Sequence, residues 1–241
     1  MCSSDLDVHV VLPGDRPRTR GLLAEAVAAR TDRDLRWQTH TASPVFVAGQ
    51  ARAVIELIEG REGLPVTSWV PEAVAGVRGR PTLLSNAETW AHVGLLALEG
   101  LAPTLARGTR EEPGTTLLTV SAPGLPPTVH EVEHGTRLAP LIDVRAAHAP
   151  VLVGGFHGRW ATWESVERAE LSAGAMSALG MPLGAGVVIA PGPGACTLAL
   201  TERIVAHLAA QSAGRCGPCV NGLPALAEAV GGLRQIGRAH V

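Results

Sequence analysis

The residues best suited to chemistry are Cys216 and Cys219, in the run Cys216-Gly217-Pro218-Cys219. A C-x-x-C pair at the end of a helix aims two thiols at one point, which suits iron, zinc or a redox disulfide. Two thiolates do not complete a tetrahedral site, so metal ligation requires further donors from elsewhere in the chain. The plainer reading is a pair of buried structural cysteines.

C-G-P-C is also the tetrapeptide of the thioredoxin active site. That setting needs a buried strand before the motif and a long helix starting inside it. Here a helical pattern and Gly214 precede the motif, which argues against it. A second constellation, His130-Glu131-Val132-Glu133-His134, matches the H-E-x-x-H zinc-hydrolase pattern. That pattern works only on a helix, where residues four apart share a face. Pro126 and Pro127 precede it and Gly135 follows, so the segment reads as a strand and turn, with successive residues on opposite faces. The glycine clusters at 154–158, 184–186 and 192–194 lack the strand-turn-helix setting of a phosphate loop and read as turns.

The elements that must position these residues follow from periodicity. Residues 7–12 read as a strand, 18–30 as a helix, 44–49 as a strand and 50–60 as a helix ending at Gly60. This order suggests part of an α/β layer. Residues 61–82, rich in Gly and Pro, read as an ordered loop, and 85–99 as a helix capped by Ser85 or Asn86. From Pro113 the pattern is strand, strand, helix over 137–147, then strand at 150–155: a small mixed sheet carrying one helix. A strand at 187–190, a helix at 197–212 stopped by Gly214, and a helix at 223–233 complete the chain. The fold class is α+β in three modules.

Bulk properties exclude several classes. The chain has 241 residues, a net charge of −2 and 46% hydrophobic residues, enough for a real core. All 20 basic residues are Arg, which reads as codon bias. The charge leaves no footprint for nucleic acid or an anionic membrane. No apolar run reaches the roughly 20 residues that span a bilayer, and no signal peptide is evident. Four cysteines do not suggest a disulfide scaffold, so a reducing, cytoplasmic location is expected. The ends, MCSSDL at 1–6 and IGRAHV at 236–241, read as translated sequencing adapter, which would make Cys2 and His240 foreign and the natural gene longer in both directions.

Three blocks carry a family resemblance. Residues 45–89 resemble the stretch up to and including the N-N-x-E-T motif of the complex I F subunit, which binds flavin and NADH in NADH:quinone oxidoreductase. Residues 115–153 are similar to its soluble-ligand-binding β-grasp (SLBB) module. Residues 180–222 resemble its iron–sulfur region, whose pattern is E-S-C-G-x-C-x-P-C-R-x-G. The resemblance implies a partial FMN-binding α/β domain at 7–105, an SLBB β-grasp domain at 113–158 and a helical iron–sulfur region at 159–235. In that family NADH passes hydride to FMN, and FMN passes single electrons to a [4Fe–4S] cluster held by four cysteines.

The departures are as informative. The first cluster cysteine falls on Ala213, Cys216 and Cys219 take the second and third places, and the fourth is expected further downstream. The [4Fe–4S] ligand set is therefore incomplete, with Cys216 and Cys219 as its metal ligands. Y-x-C-G-E-E becomes Phe46-Val47-Ala48-Gly49-Gln50-Ala51, so both acidic residues are gone. Ser85 replaces the first Asn of N-N-x-E-T, while Asn86, Glu88 and Thr89 remain. Gly49, Ser85, Asn86 and Thr89 are the expected contacts for residual FMN, and NADH oxidation by this chain alone is not expected. The expected function is electron transfer with a ferredoxin-like or other redox partner protein. The alternatives are a non-catalytic β-grasp binding or assembly module and a thiol–disulfide oxidoreductase acting through Cys216 and Cys219.

Overall fold

In the computed structural model of the protein the described residues are 6–31 and 34–239. The expectations about Cys2 and His240 lie outside them. The fold is mixed helix and sheet, in two compact units. One unit comprises the residues up to Leu84 together with those from Glu202; the other is Ser85–Thr201.

The first unit is built on two parallel strands, β1 (Leu6–Pro13) and β2 (Leu35–Ala42), in register from Leu6 opposite Leu35 to Pro13 opposite Ala42. Parallel neighbours need a crossover, and α1 (Pro17–Ala28) supplies it, with Pro17 at its first turn. Asp7 and Arg36 face each other across the pair, joined by a 2.9 Å hydrogen bond.

The strand expected at 44–49 is not there. Phe46–Gly49 forms a 3-10 turn, and the second strand is the more polar Leu35–Ala42. Pro44 removes a ladder donor and Gly49 weakens an extended run, whereas Leu35 and Trp37 alternate with exposed Arg36 and Gln38. α2 (Ala51–Ile58) then buries Ala53 and Ile55. Gln50 caps it: its side-chain oxygen accepts from the N–H groups of Arg52 at 2.7 Å and Ala53 at 3.2 Å.

The second unit begins with α3 (Ala87–Glu99) and α4 (Ala102–Leu105). Its five-stranded sheet contains β3 (Thr115–Ser121), β4 (Thr128–Glu133), β5 (Val151–Val153), β6 (Arg159–Ala161) and β7 (Val187–Ile189). The spatial order is β4-β3-β7-β5-β6. β3 is parallel to β7, and the other pairings are antiparallel. α5 (Trp163–Arg168) and α6 (Ala173–Ala178) lie between β6 and β7 in sequence. Leu118, Val132, Leu138, Val151, Val153, Val166, Leu171, Met176 and Val188 form one buried apolar core.

The sheet continues past residue 158, because β6 and β7 come from later residues. Their three-residue length hides them from periodicity. The helix expected over 137–147 is two short 3-10 turns, Ala139–Leu141 and Val144–Ala146. Pro140 cannot continue a helix, and the Asp143 carboxylate captures the Arg145 backbone N–H at 2.8 Å in a local turn. The glycine cluster at 154–158 is a turn, as expected: a Cβ on Gly158 would stand 2.0 Å from the Val153 carbonyl oxygen.

Within the second unit one carboxylate ties a loop to a helix. Glu112 accepts from the N–H groups of Ala173 at 2.7 Å and Gly174 at 3.0 Å, at the start of α6. The Gly174 N–H first, then that of Ala173, hold the Glu112 carboxyl below its ordinary value. A depressed carboxyl contributes stability above its unfolded pKa, about 4.3, and loses it as pH falls below that point. Glu112→Gln should therefore cost about 1 kcal/mol at neutral pH and flatten the acid limb of stability. Urea unfolding across an acidic pH series checks this; parallel wild-type and variant profiles would contradict it.

Candidate functional site

The site forms where one helix stops and the next begins. α7 (Thr197–Ala210) runs up to the segment Gln211–Arg215, in which Gly214 adopts φ of 64°. A left-handed residue there turns the chain out of the helix at little steric cost. The chain re-enters helical geometry at once. Pro218–Gly222 is a π-type turn, continuous with α8 (Leu223–Ala239). The Val220 N–H donates to the Cys216 carbonyl at 3.0 Å, so Cys216 opens the helical run. Pro218 suits this place because the first helical turn leaves its N–H groups unbonded anyway.

This geometry brings the two sulfurs together at 3.5 Å, one helical turn apart. Cys216 is exposed and Cys219 half-buried. The Ser212 hydroxyl donates to the Cys219 carbonyl at 3.2 Å and accepts from the Gly214 N–H at 3.2 Å. It thereby pins the turn to the new helix. The Cys219 thiol is held below its ordinary value, chiefly by the Ser212 hydroxyl and then by the Cys216 thiol, against a smaller opposing effect of burial. On the flank, the Arg215 guanidinium pairs with the Glu62 carboxylate at 3.2 Å. Phe46, at the start of the Gly49-bearing turn, donates its N–H to the Gln211 side-chain oxygen at 3.0 Å.

The expected site residues divide between the two units. Gly49 lies in the same unit as Cys216 and Cys219; Ser85, Asn86 and Thr89 lie in the other. Gly49 is exposed, and a Cβ there would meet no atom within 4 Å. Asn86 caps α3, its side-chain oxygen accepting from the Thr89 N–H at 2.8 Å. Glu88 accepts from the Leu117 N–H at 2.6 Å and the Thr116 hydroxyl at 3.1 Å, tying α3 to β3. Asn86, Thr89, Glu88 and Gln50 thus carry local hydrogen bonds that hold up the fold.

Among the described residues the donor set does not complete a four-iron cluster. Cys216 and Cys219 stand together, but among the described residues no group of three His, Cys, Asp or Glu side chains could hold a metal ion. Cys196 is elsewhere in the chain, its sulfur accepting from the Ala199 N–H at 3.4 Å at the start of α7. His130–Glu133 of the H-E-x-x-H segment lie on β4 and His134 on the turn that follows, with Val132 buried between the two histidines. The segment is therefore not the helix on which that pattern holds an ion. Ser212, Glu62 and Arg215 were not singled out by sequence. Neither had a local signal: the Ser212 hydroxyl bonds across a turn to Cys219, and the Glu62–Arg215 pair joins residues far apart in sequence.

Removing the Ser212 hydroxyl isolates its effect on the thiols. Ser212→Ala should move the alkylation profile of Cys219 to higher pH, because thiolate is the reactive form. Peptide mass spectrometry after timed iodoacetamide pulses reads this out; an unmoved profile would show that the hydroxyl does not tune the pair.

No family model matches the chain. It is 27% identical over 195 residues to the NADH-quinone oxidoreductase F 2 subunit of Rhizobium meliloti, covering 76% of this chain and 45% of the relative. It is 29% identical over 195 residues to the NADH-quinone oxidoreductase F subunit of Mycobacterium tuberculosis, covering 78% and 44%. The alpha subunit of the NAD-reducing hydrogenase HoxS of Cupriavidus necator is 31% identical over 140 residues, covering 57% and 23%. The chain thus spans less than half the length of these relatives. Its fold is that of a chain in the crystal structure of an NAD+-reducing [NiFe]-hydrogenase in the H2-reduced state, with a TM-score of 0.80, 24% identity, and coverage of 93% of this chain and 40% of that one. The chain is a divergent homologue of the NADH-quinone oxidoreductase F subunit and of the HoxS alpha subunit.

Proposed function

We propose that the chain serves electron transfer within a redox complex of the NADH-quinone oxidoreductase type, with Cys216 and Cys219 as its own redox pair. The observation that carries this reading is the pairing of their sulfurs at a helix start, within a chain homologous to components of NADH-oxidising and NAD-reducing assemblies. Three modules support it. The first carries the β1-α1-β2 unit and Gly49 of a partial flavin-type α/β domain. The second is the β-grasp domain of SLBB type expected at 113–158, with the later strands β6 and β7 in its sheet; the order β4-β3-β7-β5-β6, with a central parallel pair between antiparallel ones, favours it. The third is the helical segment that ends in the cysteine pair. Its partner is another redox protein, ferredoxin-like or of another electron-transfer kind. No helix among the described residues is long and apolar enough to cross a membrane.

NADH oxidation through FMN is not assigned to these residues. Gln50 and Ala51 stand where the resemblance places two carboxylates, and Gln50 is committed to capping α2. A buried cofactor polar group without a partner costs about 1–3 kcal/mol, so FMN affinity is expected to be weak. A second reading, a non-catalytic β-grasp binding or assembly module, is favoured by one observation. A groove on the second unit brings His130, Asp143 and Trp163 together with Leu125, Thr128 and Ile142.

A mediated redox titration of the purified full chain separates the two readings. Electron transfer requires reversible electron uptake that disappears in the Cys216→Ser/Cys219→Ser double variant while far-ultraviolet circular dichroism is unchanged. A folded chain that takes up no electrons would overturn it in favour of the binding module.

A further inference from the structure

We propose that Cys216 and Cys219 form a reversible dithiol–disulfide centre that exchanges an electron pair with an external disulfide, in place of the four-iron cluster of the cysteine-rich motif. This deepens the reading of the pair as the chain's redox centre and rests on it.

The donor set points this way. Two sulfurs meet, and no third metal-binding side chain joins them among the described residues. Position 213, where the resemblance places another cluster cysteine, is Ala. What remains is the minimum set for a two-electron thiol couple. The sulfurs stand 3.5 Å apart. A disulfide bond is about 2.05 Å long, and its Cα atoms lie about 4.4–6.8 Å apart, a spacing that residues three apart in a helical turn meet without backbone movement. Closing the bond therefore needs small side-chain rotations and leaves the Val220 to Cys216 hydrogen bond in place.

Exposure assigns the roles. Cys216 is exposed and meets the incoming disulfide; Cys219 is half-buried behind it. The Ser212 hydroxyl fixes the Cys219 backbone and keeps the second sulfur within reach of the first. In the first step the Cys216 thiol gives its proton to solvent, and its sulfur attacks one sulfur of R–S–S–R′. A Cys216–S–S–R bond forms, the R–S–S–R′ bond breaks, and R′S− leaves and takes up a proton. In the second step the Cys219 sulfur, after losing its proton, attacks the Cys216 sulfur. The Cys216–Cys219 disulfide forms and RS− leaves, to be protonated in turn. Two cysteine thiols are oxidised and one external disulfide is reduced to two thiols, a transfer of two electrons and two protons.

The test equilibrates the purified full chain anaerobically with graded mixtures of reduced and oxidised glutathione, then quenches with an alkylating agent for peptide mass spectrometry. The expected result is joint loss of alkylation at Cys216 and Cys219, with a linked Cys216–Cys219 peptide and a two-electron midpoint. Cys219→Ser should accumulate glutathione on Cys216, because the resolving thiol is gone. Cys216→Ser should lose most of the reaction with oxidised glutathione at Cys219. A folded wild-type chain in which the two cysteines oxidise independently, or never link, overturns the proposal. Should such a chain still take up electrons in the mediated titration, the electron-transfer reading stands and only the dithiol centre falls. Should it take up none, both fall.

Discussion

Everything at the site depends on where the last helix begins. Because Cys216 opens the helical run, Cys219 sits one turn further on, and the two sulfurs converge to 3.5 Å. Had the run begun three residues later, the pair would lie on an irregular segment with no reason to converge. The start is fixed from both sides. Gly214, in a left-handed conformation, ends the preceding segment, and Pro218 accepts the first turn without a missing donor. Ser212 joins the two, bonding backward to Gly214 and forward to Cys219.

Several residues that the resemblance aligns with cofactor contacts carry structural hydrogen bonds in this chain. Gln50, where the resemblance places a carboxylate, caps α2. Asn86 caps α3, and Glu88 secures α3 to β3 through the Leu117 N–H and the Thr116 hydroxyl. Side chains already committed to backbone donors contribute little to a bound flavin or nucleotide without giving up those bonds. The fold matches that of a hydrogenase chain, although Ala213 stands where the resemblance places a cluster cysteine. The core of the sheet is built from Leu118, Val153, Val166, Met176 and Val188.

Much of this was legible in the sequence, and the failures have physical causes. The strand at Leu6–Pro13, the helices from Ala51, Ala87 and Thr197, the Asn86 cap and the strand setting of the H-E-x-x-H segment follow from periodicity and capping. The strand at Leu35–Ala42 was missed because it is polar on one face and its pairing with β1 is not local. PVFVAG at 44–49 drew the strand assignment by apolarity alone, though Pro44 and Gly49 oppose it. Strands β6 and β7, three residues each, exist only because neighbours pair with them. At the site, the cysteine pair was readable as a motif, but it was expected at the end of the preceding helix, whereas Cys216 opens the following one. Ser212 and the Glu62–Arg215 pair were not identified: the first bonds across a turn, and the second joins residues 153 apart.

The redox centre proposed at 216–219 is two thiols and no four-iron cluster, since among the described residues no third ligand joins them. Anaerobic incubation of the full chain with iron and sulfide, followed by iron and sulfide analysis and electron paramagnetic resonance of the reduced sample, tests it most directly. No stoichiometric iron or sulfide and no cluster signal are expected, with both cysteines still open to alkylation. Four irons and four sulfides per chain with a reduced-cluster spectrum, lost in Cys216→Ser, would contradict it.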